Sequence, residues 1–375
     1  MKSIKMLIVL LLFFLPVALA QEETPTPPGT LKRGDVLVVK YDFSSQYIRS
    51  ITGLWLLDPF ALWGNQSLYL TLERQGYRIW QVDVANGGSY LFTLEIEGRE
   101  NTGFVPLGES QLVRMNLQTG VREVMFTGVN LVSFYLSPDA EQALLRFYPA
   151  DMTFMNRYDV ILRQQWCVVV FSLDQDDCHV LTLDEDTYLE AFEWVSNSSL
   201  AYTLNHQDTV QVLDTTTFTT ETIPLPDGLY ATEIRSIPGQ NDQLLVYDAP
   251  FAAGEVGNLL LFDLNRKSFS AITEIPINAR IVEVSPNGDY AVMAGGYPSQ
   301  AILIDLRNGS VIQSYPTIYD MEWTSFQWLP TDPTFFLIGN LGYRGGNVMT
   351  IILEPFTIST ANIIDDVGGT LIVVP

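Results

Sequence analysis

The feature that most constrains this chain is a unit of four short apolar runs separated by turn residues. It is clearest at Ala279–Tyr315 and recurs in variant form along most of the sequence. Arg280–Val284 reads as a strand stopped by Ser285-Pro286-Asn287-Gly288, where proline presets φ and Asn-Gly accepts a positive φ. Tyr290–Ala294 reads as a second strand. Gln300–Leu306 is a third, almost continuously apolar, as a strand buried on both faces should be. Arg307-Asn308-Gly309 then turns the chain into a fourth, Ser310–Tyr315. Four such strands make one antiparallel sheet, and a lone sheet cannot bury both its faces. Repetition solves this by packing sheet against sheet around an axis.

The repeats align on the apolar residue that ends each first strand: Val84, Leu136, Val195, Ile237, Val284 and Leu329. Their spacings of 52, 59, 42, 47 and 45 residues lie near the ~40–50 residues of one four-stranded repeat. A seventh unit is split between the ends. Asp35–Tyr41, Leu54–Pro59 and Ser67–Leu72 read as second, third and fourth strands with no first strand before them. Thr370–Pro375 reads as that missing first strand, with Val374 one repeat beyond Leu329.

The turn sequences carry a family likeness. Trp194-Val195-Ser196, Leu136-Ser137-Pro138-Asp139, Val284-Ser285-Pro286-Asn287-Gly288 and Trp328-Leu329-Pro330 resemble the W-S-P-D-G turn of TolB-like and WD-repeat-like β-propellers. Leu303–Gly309 fits the L-x-D-L-x-x-G stretch that follows it, and Leu261–Lys267 and Arg114–Gly120 fit it less exactly. The resemblance covers about residues 35–375. It implies an all-β propeller, with seven four-stranded blades as the expected count and six or eight as alternatives, the first blade closed by the C-terminal strand. It is nearly silent on function, because propellers host many unrelated activities. The Gly-His and Trp-Asp signatures of eukaryotic WD repeats are missing, so that subfamily's partners do not carry over.

At the N-terminus, Met1–Ala20 has Lys2 and Lys5, an apolar run and Ala18-Leu19-Ala20, the pattern of a signal peptide cut before Gln21. An uncleaved anchor is the alternative. No cysteine follows the apolar run, as a lipid-anchored protein would require. Residues 21–34 read as a flexible leader and 35–375 as one domain, so the expected location is secreted, periplasmic or at the cell surface. Loss of the two lysines leaves 18 basic against 43 acidic residues, a charge of −25. So acidic a surface repels phosphate backbones and anionic lipid, which argues against nucleic acid as a partner.

Motifs for chemistry are scarce. The chain has two histidines, His179 and His206, in no metal-ligand spacing. No nucleophile elbow, phosphate loop or zinc-protease helix is present, and no cofactor is expected. Of the acidic runs Asp174-Gln175-Asp176-Asp177 and Asp184-Glu185-Asp186, the first offers hard oxygen ligands of the kind calcium takes but lacks the spacing of a calcium loop, and a solvated turn is the better reading. Cys167 and Cys178 are the only cysteines. Export favours a disulfide between them, whereas a hairpin centred on Asp174–Asp177 places them too far apart.

Length varies most in the expected second-to-third connections, Asp42–Gly53, Glu95–Glu109, Phe147–Gln165 and Asp248–Gly257. Loops carry function more often than their scaffold, and interfaces favour Tyr and Arg. The candidate ligand-binding residues are therefore Tyr148, Arg157, Tyr158, Asp159 and Arg163 in the longest connection, with Tyr343 and Arg344 expected on the same face. Phe154 and Met155 plugging the channel is the alternative role for that loop. Two functions follow: a non-catalytic module binding a protein, peptide or glycan, or a hydrolase or lyase using carboxylates and tyrosines at the channel mouth.

Overall fold

The computed structural model describes residues 29–374 apart from 46–47, 58–65, 73, 75, 98–107, 148–166, 174–176, 182–188, 206, 250–255, 296–299, 317–321, 331–333, 341–345, 354–355 and 365–366. The signal-peptide and leader expectation up to residue 28 lies outside them. The described chain is strand after strand. β1 (Val36–Ser45), β2 (Ile48–Leu57) and β3 (Gln66–Thr71) come first. Then follow β4 (Tyr77–Ala85), β5 (Tyr90–Glu97), β6 (Glu109–Asn116) and β7 (Arg122–Val129), then β8 (Leu131–Leu136), β9 (Gln142–Phe147), β10 (Cys167–Ser172) and β11 (Asp177–Leu181). Next are β12 (Leu189–Ser196), β13 (Ser199–Leu204), β14 (Thr209–Asp214) and β15 (Thr219–Pro224), then β16 (Glu233–Ile237), β17 (Gln240–Asp248), β18 (Gly257–Asp263) and β19 (Ser268–Ile275). β20 (Ala279–Val284), β21 (Tyr290–Gly295), β22 (Gln300–Asp305) and β23 (Ser310–Pro316) precede β24 (Glu322–Trp328), β25 (Thr334–Asn340), β26 (Gly346–Leu353), β27 (Phe356–Ile364) and finally β28 (Val367–Val373).

Six consecutive quartets, β4–β7 through β24–β27, each form one four-stranded antiparallel sheet, and the seventh has the order β28-β1-β2-β3. The turns explain the recurrent motifs. Buried Ser137 and Ser285 each accept a hydrogen bond at Oγ from the amide five residues on, Gln142 (3.0 Å) and Tyr290 (2.9 Å). Gly288 takes φ +75° there, a conformation that costs a glycine little. At the third-to-fourth turns, the side chains of Asn116, Asp214, Asp263 and Asp305 accept from amides two or three residues ahead. That is the local bonding that makes Asn and Asp turn formers.

Each sheet buries its faces against its neighbours. One apolar cluster joins the β28-β1-β2-β3 sheet to β4–β7 through Leu37, Val39, Leu54, Ile79 and Leu91. Others join β4–β7 to β8–β11, β8–β11 to β12–β15, β12–β15 to β16–β19, and β16–β19 to β20–β23. β20 lies against β24 and β24 against β28, which completes the ring.

Closure depends on the last strand. Val36, Leu37 and Val38 of β1 pair with Val373, Ile372 and Leu371 of β28. Gly34 N donates to Val374 O and Val374 N to Asp35 O, both at 2.9 Å, and Val374 is fully buried. The tight turns and long connections segregate as expected, with one correction. Asp42–Gly53 is not an open loop: β1 and β2 stay paired to Ser45↔Ile48, with Asp42 opposite Ser50. Hydrogen bonding along the hairpin outweighed the loop-like composition.

The cysteine hairpin is also in register. Cys178 stands opposite Phe171, four residues along β10 from Cys167. At ~3.3 Å per residue that is about 13 Å, beyond the ~7 Å a disulfide spans.

Deleting residues 366–375 removes the β28 ladder and the buried Ile372 and Val374, each contributing ~1.5–3 kcal/mol, from a fold whose total stability is of order 5–15 kcal/mol. The truncated protein is expected to aggregate or melt far below the parent in a thermal scan; equal melting temperatures would place closure elsewhere.

Candidate functional site

The first strands β4, β8, β12, β16, β20, β24 and β28 meet one another at the centre of the ring. Each therefore has one edge with no ladder partner. Cross-strand register identifies one equivalent position on all seven. Asp83 pairs with Phe92, Tyr135 with Leu144, Glu193 with Ala201, Arg235 with Leu245, Glu283 with Val292, Gln327 with Phe336 and Ile372 with Leu37. Six of these seven residues are polar. They stand one to three residues before the end of their strands, so this polar layer lies toward the tight-turn end of the axis.

Arg235 is the centre of the layer. Its Nε donates to Val282 O of the next sheet at 2.6 Å and its Nη1 to Ile234 O at 2.7 Å. Nη1 also lies 3.1 Å from Glu233 Oε2, the two side chains retaining 22% and 19% of their surface. On the preceding sheet, Glu193 Oε1 accepts from Ser236 N (3.1 Å) and from Ser236 Oγ. Trp194 Nε1 donates to Tyr135 O at 3.2 Å, and the Tyr135 and Phe192 rings meet edge-on at 4.4 Å. Gln81 on β4 grips Phe134 of β8 at both backbone atoms, donating to its O at 2.8 Å and accepting from its N at 3.1 Å.

Three carboxylates thus share one guanidinium. Burial pushes the Glu283 carboxyl up to about 7, Arg235 opposing and Glu193 and Glu233 adding to the rise. Burial likewise pushes Glu233 up to about 7, against Arg235 and with Glu190 and Glu193. Burial by itself would lower Arg235, but Glu283, Glu233 and Glu193 outweigh it and its pKa rises. Asp83 is raised to about 6 by burial, which the hydrogen bond from Val84 N offsets only in part. Chemically, the layer can hold protons near neutrality and bind charged or hydrogen-bonding groups. Among the described residues no group of His, Cys, Asp and Glu could hold a metal ion.

The sequence-derived candidates Tyr148, Arg157, Tyr158, Asp159, Arg163, Tyr343 and Arg344 lie outside the described residues, as does His206. The strands that bound their connections are described, and the gaps from Phe147 to Cys167, from Glu97 to Glu109 and from Asp248 to Gly257 all open on one face. The polar layer was missed by the sequence reading. Its signal was the residue one or two before each aligned pre-turn position.

No protein-family model and no curated protein matches the chain. Solved structures do. The chain is similar to an oligogalacturonate lyase in complex with manganese, with a TM-score of 0.56 at 12% identity over 83% of this chain and 96% of that one. It is similar to Porphyromonas gingivalis dipeptidyl peptidase 4, with a TM-score of 0.50 at 10% identity over 83% of this chain and 52% of that one. For TolB from Acinetobacter baumannii the TM-score is 0.47 at 15% identity, over 76% of this chain and 64% of that one. The chain thus spans under two thirds of the TolB and peptidase chains. At such identities the likeness is one of fold: this chain is an all-β propeller. Among the described residues no helix is long and apolar enough to cross a membrane.

The raised carboxyls fix a pH dependence. A carboxyl whose folded pKa exceeds its unfolded value favours folding while protonated, and that contribution is lost as pH rises through the folded pKa. For Glu283 and Glu233 the window runs from ~4.5 to about 7. Glu283→Gln removes one such group, so its stability relative to the parent should rise between pH 5 and pH 8. The gain is at most a few kcal/mol, a tenfold change in proton affinity being ~1.4 kcal/mol. Urea denaturation at stepped pH measures this; parallel curves for the two proteins would contradict it.

Proposed function

We propose that this chain is an exported, non-catalytic β-propeller that binds a protein, a peptide or a glycan on the face of its long second-to-third connections. The observation that carries this reading is the engagement of Arg235. Its guanidinium is tied to Val282 O, Ile234 O and Glu233, so the central charges act as framework, and recognition falls to the rim. Tyr148, Arg157, Tyr158, Asp159 and Arg163, with Tyr343 and Arg344, are the residues proposed to contact the ligand. Their aromatic and cationic character complements an acidic surface, and nucleic acid is not proposed as a partner. The expected setting is secreted, periplasmic or at the cell surface, following the Met1–Ala20 signal pattern.

A second reading, an extracytoplasmic hydrolase or lyase, draws on the clustering of Glu233 and Glu283 about Arg235, where burial pushes both carboxyls up to about 7, the range in which general acids and bases work best.

Glycan and peptide arrays probed with the parent and with a variant whose residues 148–163 are replaced by a short Gly/Ser linker separate the two. The binding reading expects array signal in the parent, its loss in the variant and an unchanged melting temperature. Undiminished binding by the variant would overturn it. Turnover of an array substrate that disappears in Glu283→Gln would favour the enzyme.

A further inference from the structure

Arg78 is the second residue of β4, and only 4% of its surface is exposed. Its Nε and Nη2 are buried with no hydrogen-bond partner among the described residues. A buried guanidinium without a counter-charge is costly, and proteins normally pair it. Several other arginines here have a carboxylate partner. Arg74 and Arg122 both grip the fully buried Glu95, and Arg235 has Glu233 beside it. Burial also lowers the Arg78 pKa, with no carboxylate among the described residues opposing it. In a chain with 43 acidic residues, a missing partner at this position is informative.

Position says where a partner would come from. Arg78 pairs with Ile96 and Gln81 with Leu94, two residues apart on β5. Arg78 therefore shares a face of the sheet with Gln81, the face turned to β8, where Gln81 bonds Phe134. β4 runs from Tyr77 toward the tight turn at Asn86–Gly88, so Arg78 is at the opposite end of the axis from the Asp83 layer. Ile96 is next to last in β5, immediately before the connection to Glu109. Arg78 thus sits just under the long-connection rim, on an innermost strand.

The two unpartnered nitrogens specify the chemistry. Nε–H and Nη2–H lie along one edge of the guanidinium plane, the edge that meets both oxygens of a carboxylate in a side-on fork. We propose that Arg78 is an anion-binding residue whose fork receives a carboxylate of the ligand at the long-connection end of the channel. This rests on the binding reading above and narrows it to acidic ligands, whether the carboxylate belongs to a uronic acid or to a peptide C-terminus.

Thermal melting with added glucuronate, the dipeptide Gly-Ala, or sulfate at matched ionic strength tests this, using the parent, Arg78→Met and Arg78→Lys. Arg78→Met fills the same volume without charge and should melt at or above the parent, which shows that it folds. The parent's melting temperature is expected to rise with glucuronate or with Gly-Ala, and the larger rise names the source of the carboxylate. That rise should vanish in Arg78→Met and shrink in Arg78→Lys, which keeps the charge but loses the fork. An equal rise in parent and Arg78→Met, no rise in the parent with either carboxylate, or an equal response to sulfate would each overturn the assignment. Array binding by a parent that no carboxylate stabilises would remove Arg78 while leaving the binding reading intact. A carboxylate response confined to the parent, with silent arrays, would do the reverse.

Discussion

Everything at the centre of this molecule follows from the free edge of each first strand. A sheet arranged radially pairs its first strand on one side only, and the N–H and C=O groups on the other side must still be satisfied. Water in a narrow axis is one solution. This chain uses side chains from the neighbouring sheet. Gln81 acts as a surrogate strand for Phe134, Trp194 caps Tyr135 O, Glu193 takes Ser236 N and Arg235 takes Val282 O. Each bond ties one sheet to the next at its innermost point, where the apolar faces have already met. The layer of Asp83, Tyr135, Glu193, Arg235, Glu283 and Gln327 is the consequence. The raised carboxyls are then a side effect of enclosing three acids around one base.

The same geometry explains the closure. A ring of sheets has a seam, and a seam is two exposed edges. Here β28 fills it by pairing with β1 and burying Ile372 and Val374 in the same cluster as Leu37 and Ile79. Fixing the tight-turn end in this way leaves the opposite face free to vary. The connection after β9 spans nineteen residues between Phe147 and Cys167, whereas that after β13 runs only from Leu204 to Thr209. Scaffold and candidate recognition surface are thus placed at opposite ends of the axis. Arg78, unpaired among the described residues, lies at the long-connection end and the tied Arg235 at the tight-turn end.

Much of the fold was legible in the sequence because turns are local. Ser285-Pro286-Asn287-Gly288 and Asp305-Leu306-Arg307-Asn308-Gly309 carry their bonding within five residues, and the alternation of apolar runs between them leaves little choice of topology. The split repeat was legible for the same reason, since Thr370–Pro375 has the composition of a first strand and nothing else to pair with. Asp42–Gly53 was misjudged because the polar residues that suggest a loop also occur within a paired hairpin. The polar layer was not legible, since one buried glutamate per repeat looks like a solvated one until register shows which residues are equivalent. Arg78 was invisible for a stronger reason. Its interest lies in a partner it lacks, and only packing reveals that.

The claim that side chains complete the free inner edges is tested most directly at one amide, that of Phe134. Native-state hydrogen exchange should find it protected like the ladder amides of β8 in the parent, although it points away from β9, and exposed in Gln81→Met with the ladder amides unchanged. Exchange of the Phe134 amide at the same fast rate in both proteins would contradict the account.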